Sequence, residues 1–337
     1  MTYKISVKPS DHTFTAEDGE TILEAANKHG VTLPYSCCNG ACGVCKGKVL
    51  YGHVDHGNPQ AYALTTAEKA EGLALFCCAK PKSDLIIESR EVKSESDIQV
   101  KTLPTRVEKI ERLSDDVIAL YLKLPASERM QFLAGQYIDI LLKDDKPRSF
   151  SLANAPHDDA FLVLHIRHIP GGSFTHYVFN ELKERDILRI KGPLGHFYLR
   201  EDSYKPMIFV ASGTGFAPVK ALVEHALYSG IKRPMHVYWG GNKRADLYMT
   251  ELAESWAQHG VRFTPVLSAP LPEDGWEGRT GFVHQAVMKD YPDLSGYQVY
   301  ACGNPVMVES AFKDFTAQCG LPQNECFSDA FTFAPKS

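Results

Sequence analysis

The chain has 337 residues, 44% of them hydrophobic, and a formal net charge of −5, which is ordinary for a globular protein of two or three domains. This acidic balance argues against general nucleic-acid binding, which needs a basic surface. The sequence contains no run of the roughly 18–20 apolar residues that a membrane-spanning helix needs. The N-terminal residues alternate like a strand and lack the apolar core of a signal peptide, so we expect a cytoplasmic protein.

The first predicted domain covers residues 1–97. We predict a strand over Tyr3–Lys8, a helix over Thr21–Lys28 and another strand over Asp84–Glu88. The charged run Ser89–Asp97 lacks apolar periodicity, so it is predicted to be a linker.

The second predicted domain covers residues 98–202 and contains short strands separated by turn residues, with one helix over Phe174–Leu182. The predicted strands are Leu103–Ile110, Val117–Leu124, Tyr137–Leu142, Phe150–Leu152, Phe161–His168 and Ile187–Lys191. Many short strands at this spacing indicate a small antiparallel β-barrel.

In the third predicted domain, residues 203–337, strands alternate with helices. The predicted strands are Met207–Ala211, Met235–Trp239, Arg262–Leu267 and Gln298–Ala301. The predicted helices are Pro218–Tyr228, Leu247–His259, Val283–Lys289 and Pro305–Cys319. Such alternation predicts a parallel sheet wound by helices, so the chain combines α+β and α/β domains.

Six of the nine cysteines lie between residues 37 and 78. In a reducing compartment such a group indicates a metal or redox site rather than disulfides. Cys37, Cys42 and Cys45 have the spacing C-x4-C-x2-C, and a fourth thiolate comes from Cys77 or Cys78. A [2Fe–2S] cluster takes four thiolates with this spacing. The alternative is a zinc site, but zinc sites usually pair two CxxC motifs and only one occurs here.

The loop around these cysteines contains two glycines, Gly40 and Gly43, which allow a tight turn with positive φ and N–H groups directed at sulfur. The run Pro34–Cys45 resembles the cluster loop of plant-type ferredoxins, which implies an N-terminal β-grasp domain holding a [2Fe–2S] cluster. In that family a proline follows the fourth ligand by four residues, so Pro81 favours Cys77.

Two short motifs in the second domain are suited to a flavin nucleotide. Arg148 can pair with a phosphate, Phe150 can stack on a flat ring, and Ser151 offers a hydroxyl to the ring edge. Gly172 and Ser173 open the predicted helix, where an anion is favoured. Each motif alone is weak evidence, and the Arg-Ser-Phe-Ser motif by itself is more often a solvated strand.

Together, in this order and followed by a Gly-Pro-Leu-Gly-His-Phe run at 192–197, they resemble the flavin domain of the ferredoxin–NADP reductase superfamily. The resemblance implies bound FAD, with Arg148 and Ser173 at its phosphates and Phe150 and Ser151 at its ring.

Two loops of the third domain follow strand ends and precede helices. The first contains Gly213, Thr214 and Gly215, and the second contains Cys302 and Gly303. Ligands of open α/β sheets bind at this carboxyl edge. Both loops match nicotinamide motifs of the same superfamily, which implies that Cys302 lies beside the reactive carbon. The alternative for Cys302 is a cysteine that only packs at the end of an apolar strand.

The C-terminal residues Asp329 and Phe331 fit the superfamily's spacing of an acid two positions before an aromatic residue that covers the flavin. The segment Ser268–Pro270 lacks the Ser-Arg pair typical of NADPH-dependent relatives, so we expect NADH rather than NADPH.

These motifs predict an electron-transfer oxidoreductase. NADH gives a hydride to FAD, with Ser151 and Cys302 as the catalytic residues that shape the contact, and single electrons pass to the cluster. The segments that carry a closer resemblance are Val237–Gly240, Asp246–Tyr248, Phe263–Ser268 and Asp329–Thr332. Through them, and over nearly its whole length, the chain resembles the CDP-6-deoxy-glucoseen reductases, which implies a dehydratase as the electron-accepting protein. The alternatives are the reductase component of an oxygenase and, in another class, a cluster-based redox sensor.

Overall fold

The computed structural model describes residues 2–35, 40, 43, 45–61, 63–89, 98–142 and 147–331. Three large sheets follow one another along the chain, and each has its own buried core. The predicted fold class is confirmed, whereas the boundaries after residues 97 and 202 stay predictions. In the described part of the chain, no helix is long and apolar enough to cross a membrane.

The N-terminal sheet has five strands in the order β2-β1-β7-β3-β5, and a separate pair is formed by β4 and β6. The strands are β1 (Thr2–Lys8), β2 (Thr13–Glu17), β3 (Lys46–Tyr51), β4 (Val54–Asp55), β5 (Leu73–Leu75), β6 (Lys80–Pro81) and β7 (Leu85–Glu88). The helices are α1 (Ile22–Lys28) and α2 (Thr66–Ala70). Thr21 caps α1 in a reciprocal capping box with Glu24, which fixes where the helix begins.

The second sheet is antiparallel throughout, in the order β11-β10-β13-β8-β9-β12. Its strands are β8 (Lys101–Arg112), β9 (Val117–Lys123), β10 (Tyr137–Leu141), β11 (Arg148–Ser151), β12 (Leu162–Arg167) and β13 (Ile187–Leu194), and its helix is α3 (Ser173–Asn180). A bridge between Leu152 and Leu164 joins the two ends of this order, so the sheet closes into the predicted barrel.

The third sheet is parallel, in the order β17-β16-β15-β14-β18-β19. Its strands are β14 (Met207–Ser212), β15 (Met235–Gly241), β16 (Val261–Leu267), β17 (Arg279–Thr280), β18 (Gln298–Gly303) and β19 (Cys326–Ala330). Its helices are α4 (Phe216–Tyr228), α5 (Thr250–Ser255), α6 (Val283–Asp290) and α7 (Pro305–Gln318).

The third sheet differs from the sequence-based expectation in one helix and in its two edge strands, of which the short β17 (Arg279–Thr280) was not predicted. The helix predicted over Leu247–His259 is shorter, because α5 begins only at Thr250 and the chain tightens into a 3₁₀ turn from Trp256 to His259. The edge strand β19 was not predicted, since its residues are mostly half-exposed and carry no clear apolar alternation.

Candidate functional site

Two of the four predicted cluster ligands, Cys45 and Cys77, lie side by side in the N-terminal domain. Cys45 precedes β3 and Cys77 follows β5, and the N–H of Phe76 donates to the Cys45 carbonyl (3.0 Å). Both cysteines are buried, with exposed fractions of 4% and 9%. The other two predicted ligands, Cys37 and Cys42, lie outside the described residues.

The environment of Cys77 suits a thiolate. A hydrogen bond from the Cys45 side chain, with further help from the Gly40 N–H, lowers the pKa of Cys77 to about 6 in spite of its burial. Gly40 and Gly43 have the predicted positive φ, at +76° and +78°. The Cys78 sulfur is 3.8 Å from that of Cys77, and the choice of Cys77 as the fourth ligand stays a prediction. This donor set fits an iron–sulfur cluster.

The predicted flavin residues lie at one edge of the barrel. Ser151 is buried at the end of β11, and Phe150 and Arg148 are half-buried. The Phe150 ring packs against Phe174 in the first turn of α3, with 5.6 Å between ring centroids. This contact brings the predicted ring-stacking residue next to the predicted phosphate site at Ser173.

The start of α3 lacks a side-chain cap, so its first N–H groups are available to an anion. Gly172 is the N-cap residue, and a Cβ there would lie 2.8 Å from the Thr175 hydroxyl and 3.1 Å from the Ile169 carbonyl. The turn therefore requires glycine, and its shape fits the predicted phosphate contact.

A cavity of about 430 Å³ opens between the barrel and β19. Tyr137 lies on the barrel side, Phe327 and Asp329 come from β19, and Arg200 also lines the cavity. The Arg200 guanidinium stacks on Tyr198 and Phe327, at 3.6 Å and 4.7 Å from their ring centroids. A partly aromatic cavity of this size is suited to a flat heterocycle.

The two predicted nicotinamide loops lie on neighbouring strands, because β14 pairs with β18 and Ala211 is opposite Cys302. A Cβ at Gly215 would lie 2.2 Å from the Cys302 carbonyl oxygen. A Cβ at Gly303, where φ is +127°, would lie 2.4 Å from the Ser212 carbonyl oxygen. These two glycines let the loops pack against each other, and their contact with a dinucleotide stays a prediction, as it does for Gly213 and Thr214.

Strand β19 completes the site by joining the barrel to the parallel sheet. Asp329 is opposite Cys302 in the sheet register, and its Oδ2 accepts a hydrogen bond from the Ser151 hydroxyl (3.3 Å). The Phe331 N–H donates to the Gly303 carbonyl (2.8 Å). The structure therefore brings both predicted catalytic residues and the predicted flavin-covering residue to one place.

Burial controls the ionisation of this site. It raises the pKa of the fully buried Cys302 well above 9, with the Asp329 carboxylate adding to the effect, so the thiol is neutral. Burial also raises the pKa of Asp329, and the hydrogen bond from Ser151 opposes that shift. A neutral, buried thiol is suited to shaping a contact rather than to nucleophilic chemistry.

Sequence reasoning missed two residues that support the first nicotinamide loop. The Trp239 indole N–H donates to the Gly213 carbonyl (2.9 Å), and its ring stacks on Phe216 at 3.8 Å. The Arg167 side chain lies 3.9 Å from where a Gly213 Cβ would be and contacts the Asp246 carboxylate at 3.5 Å. The signal for Trp239 was its position in a buried strand, where an indole N–H needs an acceptor.

Three family models match the chain in order. They are the 2Fe-2S iron-sulfur cluster binding domain over residues 5–82, the oxidoreductase FAD-binding domain over 104–198, and the oxidoreductase NAD-binding domain over 209–313. A CDP-6-deoxy-L-threo-D-glycero-4-hexulose-3-dehydrase reductase of Yersinia pestis is 41% identical over 98% of this chain and 99% of its own. The chain belongs to the iron–sulfur flavoprotein reductases.

Two further relatives show the range of this family. The reductase component DmpP of a phenol 2-monooxygenase from Pseudomonas is 35% identical over 98% of this chain and 95% of its own. The crystal structure of an Amycolatopsis cytochrome P450 reductase superposes with a TM-score of 0.65 and 33% identity, over 98% of each chain. This reductase therefore uses NADH, FAD and a [2Fe–2S] cluster, and it transfers electrons from the nicotinamide through the flavin to the cluster.

Proposed function

We propose that this reductase supplies single electrons to a dehydrase that acts on a CDP-6-deoxy-4-hexulose. The observation that carries the proposal is the 41% identity to the Yersinia reductase over almost the full length of both chains. A second candidate acceptor is an oxygenase component, which the full-length likeness to the phenol 2-monooxygenase reductase favours. We place the reductase in the cytoplasm, because a reducing compartment keeps the clustered cysteines as thiols that can bind iron.

The same proposal assigns the site residues. Cys37, Cys42, Cys45 and Cys77 hold the cluster; Arg148, Phe150, Ser151, Gly172, Ser173 and Phe331 hold FAD; Gly213, Thr214, Gly215, Cys302 and Gly303 hold NADH. When bound, the flavin supplies the exchange between a two-electron hydride donor and a one-electron cluster.

The chain's own groups serve this chemistry by position. The carboxyl of Asp329 holds the Ser151 hydroxyl at the edge of the cavity. Cys302 is opposite Asp329 on the neighbouring strand, with its thiol buried and neutral and its backbone carbonyl close to Gly215 of the first loop. Their contribution is orientation and the exclusion of water.

The test is acceptor-dependent NADH oxidation by the purified holoenzyme. The expected result is that the dehydrase with its CDP-hexulose substrate gives a higher kcat/KM than the phenol monooxygenase component. A Cys77→Ser variant is the control, since it should keep NADH-dependent flavin bleaching and lose delivery to either acceptor. A higher value with the oxygenase component would replace the first proposal by the second.

A further inference from the structure

The segment just before the cluster loop is bound to the flavin barrel through one glutamine. The Gln131 Oε1 accepts a hydrogen bond from the Tyr35 N–H (3.1 Å), and its Nε2 donates to the Leu33 carbonyl (2.8 Å). Gln131 is only 7% exposed, so both backbone groups of the ferredoxin domain are satisfied by this amide away from water. The Gln131 amide thus makes the two backbone hydrogen bonds that a neighbouring strand would otherwise make.

A second contact holds the same segment. The Tyr35 hydroxyl donates to Asp159 Oδ2 (3.3 Å). Arg129 contacts both the carboxylate of Asp159 (3.1 Å) and its carbonyl oxygen (2.8 Å). The guanidinium compensates the carboxylate, which burial would otherwise make costly to charge.

The NAD domain reaches the same region through the end of α4. Gly30 packs so closely on Ser229 that a Cβ there would lie 3.1 Å from the Ser229 Cα. The next residue back, Tyr228, stacks on His157 of the barrel with 3.6 Å between ring centroids and 4° between planes. We call these contacts, with those of Gln131 and Asp159, the three-domain junction.

The junction sits immediately before the cluster loop. Cys37 follows Tyr35 by two residues, which span at most about 7 Å of chain. Holding Tyr35 on the barrel therefore keeps the first predicted ligand within that distance of a residue bound to the barrel. We propose that Gln131 is a positioning residue that fixes the cluster against the flavin and so sets the rate of electron transfer between them. The inference rests on the electron route given above.

The test uses anaerobic holoenzyme mixed with NADH in a stopped-flow instrument, with flavin and cluster bands followed separately. In Gln131→Ala, flavin bleaching is expected to keep its rate, whereas the cluster-reduction phase should slow several-fold, because electron transfer weakens as the flavin and the cluster move apart. Asp159→Asn, which keeps the shape and weakens the Tyr35 contact, should slow the same phase less. Gln258→Ala, at an exposed position far along the chain, is the matched control.

A second readout is independent of turnover. Amide hydrogen exchange of residues 31–35 should rise in Gln131→Ala and stay unchanged in Gln258→Ala, because the Tyr35 N–H loses its acceptor. Faster exchange together with an unchanged cluster phase would overturn the inference. If Gln131→Ala does not fold, Asp159→Asn decides the matter by the same two measurements. A wild-type protein whose cluster NADH does not reduce would instead refute the electron route.

Discussion

The packing between the two nicotinamide loops gives a sharp prediction from four glycine-to-alanine substitutions. Gly215 has ordinary helical φ, yet an added Cβ would lie 2.2 Å from the backbone oxygen of Cys302. Gly281 has the opposite problem, a φ of +111° with nothing within 4 Å. Gly303 combines both, and Gly296 has neither. The set therefore separates steric conflict from backbone strain.

The expected costs follow from these geometries. Gly215→Ala should lower the free energy of unfolding by about 1–3 kcal/mol, because the atom it meets is backbone and cannot rotate away. Gly281→Ala should cost about 1–3 kcal/mol through backbone strain alone. Gly303→Ala should cost about 2–6 kcal/mol if the two effects add. Gly296→Ala should be neutral within about 0.5 kcal/mol.

Thermal unfolding of the four variants, followed by circular dichroism, measures these differences, at about 2–4 °C per kcal/mol for a domain of this size. Steady-state kinetics with NADH adds a functional readout. Gly215→Ala should raise KM for NADH, since it separates the first loop from Cys302, whereas Gly281→Ala should leave KM unchanged. If Gly215→Ala and Gly296→Ala had the same melting temperature, the inference that the two loops pack closely would be refuted.

Three further predictions concern the ionisable and sulfur-bearing side chains. Cys302→Ala should slow flavin bleaching by NADH at least about tenfold in stopped flow, and wild-type speed would exclude a positioning role. Burial raises the pKa of Asp329 above its ordinary value of 3.8, so over the pH range just above 3.8 the native state keeps a proton that the unfolded state loses. The stability of the wild type relative to Asp329→Asn should therefore fall as pH rises through that range. Melting temperatures of both proteins measured against pH test this, and parallel curves would contradict it. Cys77→Ser should abolish the cluster's visible absorbance while Cys78→Ser keeps it, and the reverse result would reassign the fourth ligand.

Much of the architecture could be predicted because it depends on local patterns. The helix starting after Thr21 has a capping box, and the strand Met207–Ser212 is a continuous apolar run before a glycine turn. Both signals lie within a few neighbouring residues. The predicted elements there agree with the structure to within one or two residues.

The parts that could not be predicted depend on distant partners. Strand β19 is a strand because β18 offers it an edge, and its own residues carry little apolar alternation. The Ser151–Asp329 hydrogen bond joins residues 178 apart in sequence, and Gln131 contacts Leu33 across 98 residues. A polar side chain gives no sign of such a distant partner until the domains are packed.

The position of β19 has a consequence for how the enzyme is made. The last strand of the N-terminal sheet ends at Glu88, whereas the wall of the cavity that carries Asp329 is synthesised almost 240 residues later. A growing chain can therefore fold its N-terminal cluster domain long before the last strand of the parallel sheet has been synthesised. Ribosome-bound or prematurely terminated chains that end before residue 326 would contain the cluster domain but lack Asp329, the hydrogen-bond partner of Ser151. Completing β19 is thus the step that adds this wall of the cavity to a chain whose other strands are already synthesised.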